Sequence, residues 1–309
     1  MPTNCAGCSP PNLLMPSNNS NLTSALSRQM QLLRLQVDRI DLKILRLLQQ
    51  RTKLSHQIGK AKRRRQAVIY VPERERDLLV RLVRHSGGNP PVKALEAIYR
   101  EIFSSSRAAQ GQPEIGLLRA GAPAIILPAR WCFGACDRFV TKRNWAELAD
   151  GLESGALAVV LLSGADLTRV FHKTATLRHF FHRFAIIGDF PAEADSALPL
   201  SKRIFIVGLK GKGASMEANR ALILIKCKST ANAVKTLLHA MPAHSIQAEL
   251  LDLRAKTPRG AMAPALVRLT LARTIDGIHA TSQLLAARHA AALPLSILGV
   301  YLATEDYAG

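Results

Sequence analysis

Residues 26–65 read LSRQMQLLRLQVDRIDLKILRLLQQRTKLSHQIGKAKRRR, a stretch with no proline and a single glycine, Gly59. Apolar side chains fall at Leu33, Val37, Ile40, Ile44, Leu47, Leu48, Leu54 and Ile58, the three- and four-residue spacing of a helix face. The spacing predicts one helix of about 40 residues, roughly 60 Å long at about 1.5 Å per residue. Such a helix is far longer than the usual element of a small domain, so its apolar stripe needs a partner along its length. Tyr70-Val71-Pro72 ends it, and Pro72 suits the first turn of a second helix from Glu73 to about His85. Ser86-Gly-Gly-Asn-Pro-Pro91 reads as a loop and Val92 to Ala109 as a third helix. Three helices of these lengths cannot cover the stripe of the first, and an intertwined homodimer is the economical solution.

Outward from this segment the pattern changes on both sides. Ser17 to Asn21 is a polar tract with little to bury, and residues 1–27 read as a disordered tail. Gly111-Gln-Pro113 looks like a domain boundary. Beyond it come short apolar runs expected to be strands: Ile115 to Leu118, Ala124 to Leu127, Ala156 to Leu162, Phe184 to Ile187 and Ile204 to Val207. Helices such as Trp145 to Glu153 alternate with them, which predicts an α/β or α+β region. Ser196 to Asn219, with Gly208, Gly211 and Gly213 among lysines, lacks the spacing of a phosphate-binding loop and reads as a connector. The last stretch reads strand (Ala221 to Cys227), helix (Ala231 to Ala240), strand (Ala248 to Leu253), strand (Ala265 to Leu271), helix (Gly277 to Ala291), strand (Leu295 to Leu302). That βαββαβ order predicts a ferredoxin-like sandwich.

Composition narrows the function classes. A 309-residue chain that is 48% hydrophobic can build several packed cores. No apolar run approaches the roughly 18 to 20 residues of a membrane span, so a membrane role is not expected. Five cysteines, Cys5, Cys8, Cys132, Cys136 and Cys227, form no metal-binding pattern. They read as reduced thiols in a cytoplasmic protein, and no metal or cofactor is expected. The net charge of +20 attracts anions of any size. Aromatic residues are only 5% and are not interleaved with basic ones, which argues against a nucleic-acid partner; the run Lys60 to Arg65 is the one segment that could serve one.

Polar residues recur at positions that a helix would bring to shared faces. Arg51 and Lys62 are eleven residues apart, three turns plus about 20°, and so project from the same side of the long helix. Arg74 and Glu75 open the second helix, and Ser106 and Gln110 share a face of the third. Arg34 lies too far before Arg51 to join it unless another subunit's helix lies alongside. Taken one at a time, these residues could equally be a solvated charged face.

As a set they carry a resemblance. Leu33-Arg34 to Asp41, Leu47 to Arg51, Ile58-Gly59-Lys60-Ala61-Lys62, Pro72-Glu73-Arg74-Glu75 and Tyr99-Arg100-Glu101-Ile102-Phe103-Ser104-Ser105-Ser106 to Gln110 resemble the all-helical chorismate mutase domain of bifunctional chorismate mutase/prephenate dehydratases. The resemblance implies the rearrangement of chorismate to prephenate in phenylalanine and tyrosine biosynthesis, in a dimer whose active sites are each completed by the partner's first helix. It implies that Arg51 and the other copy's Arg34 hold carboxylates, and that Lys62 and Gln110 face the ether oxygen. Glu75 would receive the ring hydroxyl, Arg74 would support Glu75, and Ser106 would help hold the ring carboxylate. Val71 stands where that family usually has aspartate, so only a backbone contact can survive there.

Downstream the order of segments resembles the partner dehydratase and its regulatory ACT domain, with the motifs altered. Ala156 to Val170 occupies the place of a Val-Val-Pro-Ile-Glu-Asn-Ser segment but lacks Glu-Asn-Ser. Neither His182-Arg183-Phe184 nor Lys202-Arg203-Ile204 supplies the threonine of a Thr-Arg-Phe motif. Ala231-Asn232-Ala233 and Leu251-Asp252-Leu253-Arg254 replace the ACT ligand motifs, which points to a structural or dimerising role over phenylalanine binding. The expected architecture is multidomain: 1–27 tail; 28–112 all-α mutase domain of three helices; 113–216 degenerate dehydratase-like α/β remnant; 217–309 ACT-like βαββαβ domain. A working dehydratase and a non-enzymatic nucleic-acid-binding protein are the competing readings.

Overall fold

The computed structural model describes residues 18–65, 70–111, 114–171, 180, 182–191, 203–210, 217–227, 230–240, 246–252, 263–276, 282–287 and 295–301. By internal packing the chain falls into two units, Met1–Arg51 and Thr52–Gly309. Helix α1, Asn18–Arg64, is 47 residues long. It begins inside the stretch expected to be a disordered tail, because nothing after Pro16 interrupts the helical backbone. The rest of that stretch, and Cys5 and Cys8, lie outside the described residues. Within the first unit every side chain from Leu26 to Gln50 is exposed, including stripe residues such as Leu33 (53%), Ile40 (53%) and Leu47 (63%). Burying one leucine is worth about 1.5–3 kcal/mol, so the stripe leaves a large hydrophobic stabilisation unrealised in one chain.

Within the second unit, α1 ends on Lys62, Arg63 and Arg64, cations that suit a helix C-terminus. Helix α2, Pro72–Ser86, starts on its proline and stops at Gly87, whose left-handed φ of 57° ends the helix. Val71 precedes it without a side-chain cap; its carbonyl accepts from the Arg74 N–H at 3.2 Å. Helix α3, Val92–Ala109, turns its Leu95, Phe103, Ser104, Ser106 and Arg107 side inward.

An α/β layer follows: β1 Glu114–Leu118, α4 Ala122–Phe133, β2 Phe139–Lys142, α5 Trp145–Glu153, β3 Leu157–Ser163, α6 Gly164–Phe171, β4 Phe184–Pro191 and β5 Arg203–Leu209. The sheet order is β2-β1-β3-β5-β4; β1, β2 and β3 run parallel, and β5 is antiparallel to β3 and β4. Alternate residues of the central strands enter opposite cores. Val159, Leu161, Ile204 and Ile206 pack under α4, while Val160, Leu162, Phe205 and Val207 pack with α5 and α6. Tyr70, just before α2, joins the α4 core and lies 5.4 Å from Phe133 between ring centroids.

Three expectations change here. Ala124 to Leu127 is not a strand but part of α4, since Ala122, Ile125, Ala129 and Phe133 bury a helical stripe; a four-residue apolar run fits either element. Helix α6, unanticipated, opens with a reciprocal cap: Ser163 Oγ accepts from the Asp166 N–H at 3.2 Å, and Asp166 Oδ2 accepts from the Ser163 N–H at 3.2 Å. The expected connector Ser196 to Asn219 contains β5 and the start of the next strand; its central glycines, 211 and 213, lie outside the described residues.

The remaining elements are β6 Glu217–Cys227, α7 Thr230–Ala240, β7 Ile246–Asp252, β8 Ala263–Asp276, a helical segment α8 over 282–287 and β9 Leu295–Tyr301. Their sheet is antiparallel, in the order β7-β8-β6-β9, and packs Ile223, Ile225, Val267 and Leu269 against Ala233, Leu237 and Leu284 of the helices. Asp189 of β4 ties the two sheets together, accepting from Arg203 of β5, from Arg220 of β6 at 3.1 Å and from Arg268 of β8 at 3.0 Å. Among the described residues no helix is long and apolar enough to cross a membrane.

Candidate active site

The carboxyl end of α1 meets the carboxyl end of α3 at Gln110. Gly59 makes this possible, since a Cβ there would sit 2.6 Å from the Gln110 Cα. One turn on, Arg63 Nη1 donates to the Gln110 carbonyl at 2.6 Å. Arg63 is therefore engaged within the fold, so part of the basic run Lys60 to Arg65 is structural. Lys62 lies on the turn between these two contacts, half-buried. Burial lowers its pKa below the usual lysine value, Arg74 lowers it further, and Glu75 opposes both. The last turn of α1 and the first turn of α2 thus bring Lys62, Arg74 and Glu75 together. The side-chain Oε1 of Gln110 is buried with no hydrogen-bond partner among the described residues.

Glu75, placed at the positive end of α2, is held by a residue the sequence reading did not select. Arg107 Nη1 reaches its two carboxylate oxygens at 2.5 and 2.6 Å. Arg107 is itself buried, and its pKa stands well above the ordinary arginine value: burial opposes the charge, but Glu75 and Asp137 outweigh it. A signal for it existed, since Arg107 falls four residues after Phe103 on the apolar side of α3, where an arginine requires buried acids. Ser106 Oγ donates to the Ile102 carbonyl at 2.7 Å, along its own helix. Arg34 and Arg51 belong to the amino-terminal unit, exposed and half-buried respectively. Among the described residues no group of His, Cys, Asp or Glu is placed to hold a metal ion.

Two cations and a carboxylate clamped in place can bind a small oxygen-rich anion and set positive charge beside one of its oxygens, and the unmet amide oxygen of Gln110 can accept from a hydroxyl. Residues 33–111 match the family model of chorismate mutase type II. Over 90 residues the chain is 41% identical to a bifunctional chorismate mutase/prephenate dehydratase of Aquifex aeolicus, an alignment covering 28% of this chain. It spans a quarter (25%) of that relative's length. Two solved structures are also similar. One is a prephenate dehydratase from Streptococcus mutans (13% identity, 62% of this chain and 99% of that one, TM-score 0.36). The other is GqqA, described as a novel type of quorum quenching acylase (15% identity, 60% of this chain and 93% of that one, TM-score 0.39).

Proposed function

We propose that this protein is a chorismate mutase acting through its amino-terminal helices as a homodimer in the cytoplasm, with no cofactor. The observation that carries the reading is the family match over 33–111, the stretch that holds Lys62, Arg74, Glu75 and Gln110. The exposed stripe of α1 supports a second copy as its partner, since two such helices laid together would bury both.

Chorismate is a dianion that rearranges by breaking an ether C–O bond while a C–C bond forms, a step needing no nucleophile and no proton transfer. Catalysis is then positioning together with stabilisation of charge on the ether oxygen. On this reading Arg51 and the second copy's Arg34 hold the carboxylates with their planar forks, and Lys62 supplies concentrated charge at the ether oxygen beside Gln110. Glu75 receives the ring hydroxyl with Arg74 behind it, Ser106 turns from the Ile102 carbonyl to the ring carboxylate, and Val71 offers backbone alone.

For the remainder we propose a dehydratase-like region without dehydratase activity and an ACT-like terminal domain with a structural role. The test follows loss of chorismate absorbance with purified full-length protein, together with an assay for phenylpyruvate from prephenate. Catalysed loss of chorismate with no phenylpyruvate is the expected result. A rate equal to the uncatalysed one overturns the mutase reading, and phenylpyruvate overturns the inactive dehydratase.

A further inference from the structure

The boundary expected at Gly111–Pro113 would part α3 from the α/β region, yet the deepest polar contacts of α3 cross it. The guanidinium of Arg107 is shared out completely. Its Nε and Nη2 form a fork on Asp137, at 3.2 Å to Oδ1 and 2.8 Å to Oδ2. Nη2 also donates to the Phe133 carbonyl at 2.6 Å, at the end of α4, and Nη1 holds Glu75. The rings of Tyr70 and Phe133 lie 5.5 and 5.8 Å from its central carbon. Asp137, buried in the loop between α4 and β2, also accepts from Ser104 Oγ at 2.6 Å. The same loop is bound to α3 twice more, by Cys136 N–H to Ser104 Oγ at 3.0 Å and Ala135 N–H to Glu101 Oε2 at 2.9 Å. Gly134, with φ of 105°, permits the approach: a Cβ there would lie 2.6 Å from the Ser104 Cβ.

We infer that Asp137, a residue of the α/β region, is a positioning residue of the mutase site: it fixes the plane of Arg107, and Arg107 fixes the carboxylate of Glu75. The inference rests on the mutase reading above and goes beyond it, because it makes the downstream region part of the mutase machinery. The physical reason is a two-point constraint. A guanidinium forked on Asp137 presents its remaining nitrogen in one direction only, so both oxygens of Glu75 are aimed by a residue 62 positions downstream of it. A group that must meet a substrate hydroxyl tolerates little displacement, and misplacement of about 1 Å costs on the order of a hundredfold in rate. Released from Asp137, Arg107 keeps Glu75 as its remaining carboxylate and can draw it away from the substrate.

The experiment is a double-mutant cycle on the full-length protein, read as kcat/KM for chorismate, with Asp137→Asn, Glu75→Gln and both together. Asp137→Asn should lower kcat/KM by about tenfold to a hundredfold in the native background. In the Glu75→Gln background it should change kcat/KM by less than about twofold, because the group it positions has gone. Equal losses in both backgrounds overturn the inference and leave Asp137 a structural residue. If Asp137→Asn does not fold, Ser104→Ala, which removes one hydrogen bond to the same carboxylate, should show a smaller loss with the same dependence on Glu75; a loss independent of Glu75 overturns the inference equally. A native protein that does not convert chorismate overturns the mutase reading and the positioning role with it. A native protein that does, with additive variants, overturns the positioning role alone.

Discussion

The helical segment and the α/β region handle hydrophobic surface and charge in opposite ways. Along α1 the leucines and isoleucines of a regular stripe face solvent, while β3 and β5 of the α/β sheet bury consecutive residues on both faces. Charge follows the same division. Lys62 and Glu75 are half-buried at helix ends, whereas Asp189 sits fully enclosed by Arg203, Arg220 and Arg268. Among the described residues the α/β sheet is covered within a single chain. On the proposed reading the helical segment is finished by something outside it, a second copy for its stripe and an anion for its cations.

The largest expected effect breaks the self-sufficient half. Asp189→Asn leaves three buried arginines without the carboxylate they share, and loss of one partner from a buried ion cluster costs about 3–5 kcal/mol. A denaturant melt of the variant against the native protein checks it. The pH dependence has a definite sign. Burial pushes the Asp189 carboxyl up, but the three arginines together hold it below the usual value of 3.8. A carboxyl depressed in the folded state contributes stability that is present above its unfolded pKa and lost as pH falls through its folded one, so the native protein should weaken below about pH 4. Asp189→Asn should lack that component.

Next in size is Lys62→Ala, which should reduce turnover of chorismate by about a hundredfold to a thousandfold, the scale of losing one transition-state contact. The melting curve should be nearly unchanged, because Lys62 is only half-buried. This separates the two regions by readout: Asp189 moves stability and Lys62 moves chemistry. Smaller again is Leu47→Asp, at a position 63% exposed in the single chain. Each buried leucine lost removes about 1.5–3 kcal/mol from association, so self-association measured by sedimentation should weaken by about tenfold or more. Unchanged mass at all concentrations would show that the stripe is covered by something other than a second copy.

How much of this was legible in the sequence differs between the halves for a physical reason. The three helices at the front follow from a 3.6-residue period sustained over many turns. Trp145–Glu153 is fixed at its start by Asn144, whose side chain accepts the Glu147 N–H at 3.0 Å. Ala124 to Leu127 was too short for period to decide between strand and helix. Helix α6 starts at the cap Ser163-Gly-Ala-Asp166, directly after the apolar run of β3, so its eight residues give too few turns for a period to show. Of the expected site residues, Lys62, Glu75 and Gln110 lie on or at the end of three different helices and are brought together by the family resemblance. Arg107 and Asp137 are not, since the two lie 30 residues apart, in a helix and a loop with no shared period. The place of Arg107 on the apolar side of α3 signals buried acids, but nothing local names Asp137, in an irregular loop, as one of them.

The finest test sets stability against activity at Lys62. Burial and Arg74 lower its pKa from 10.5, while Glu75 holds it up. On the mutase reading the cation is required at the ether oxygen, so kcat/KM, which reports the free enzyme, should fall on the alkaline side at a pH below that of an ordinary lysine. Stability runs the other way. Between the depressed folded pKa and the ordinary value the unfolded chain binds more protons, so the contribution of Lys62 to folding improves as pH rises through that window. Activity should therefore decline where this contribution to stability grows, so a melting curve recorded at the same pH separates loss of the Lys62 charge from unfolding. Replacing Glu75 with glutamine removes a charge that opposes this, and the alkaline limb of its residual activity should move to lower pH. A limb that stays in place, or moves up, means that the group titrating there is not Lys62.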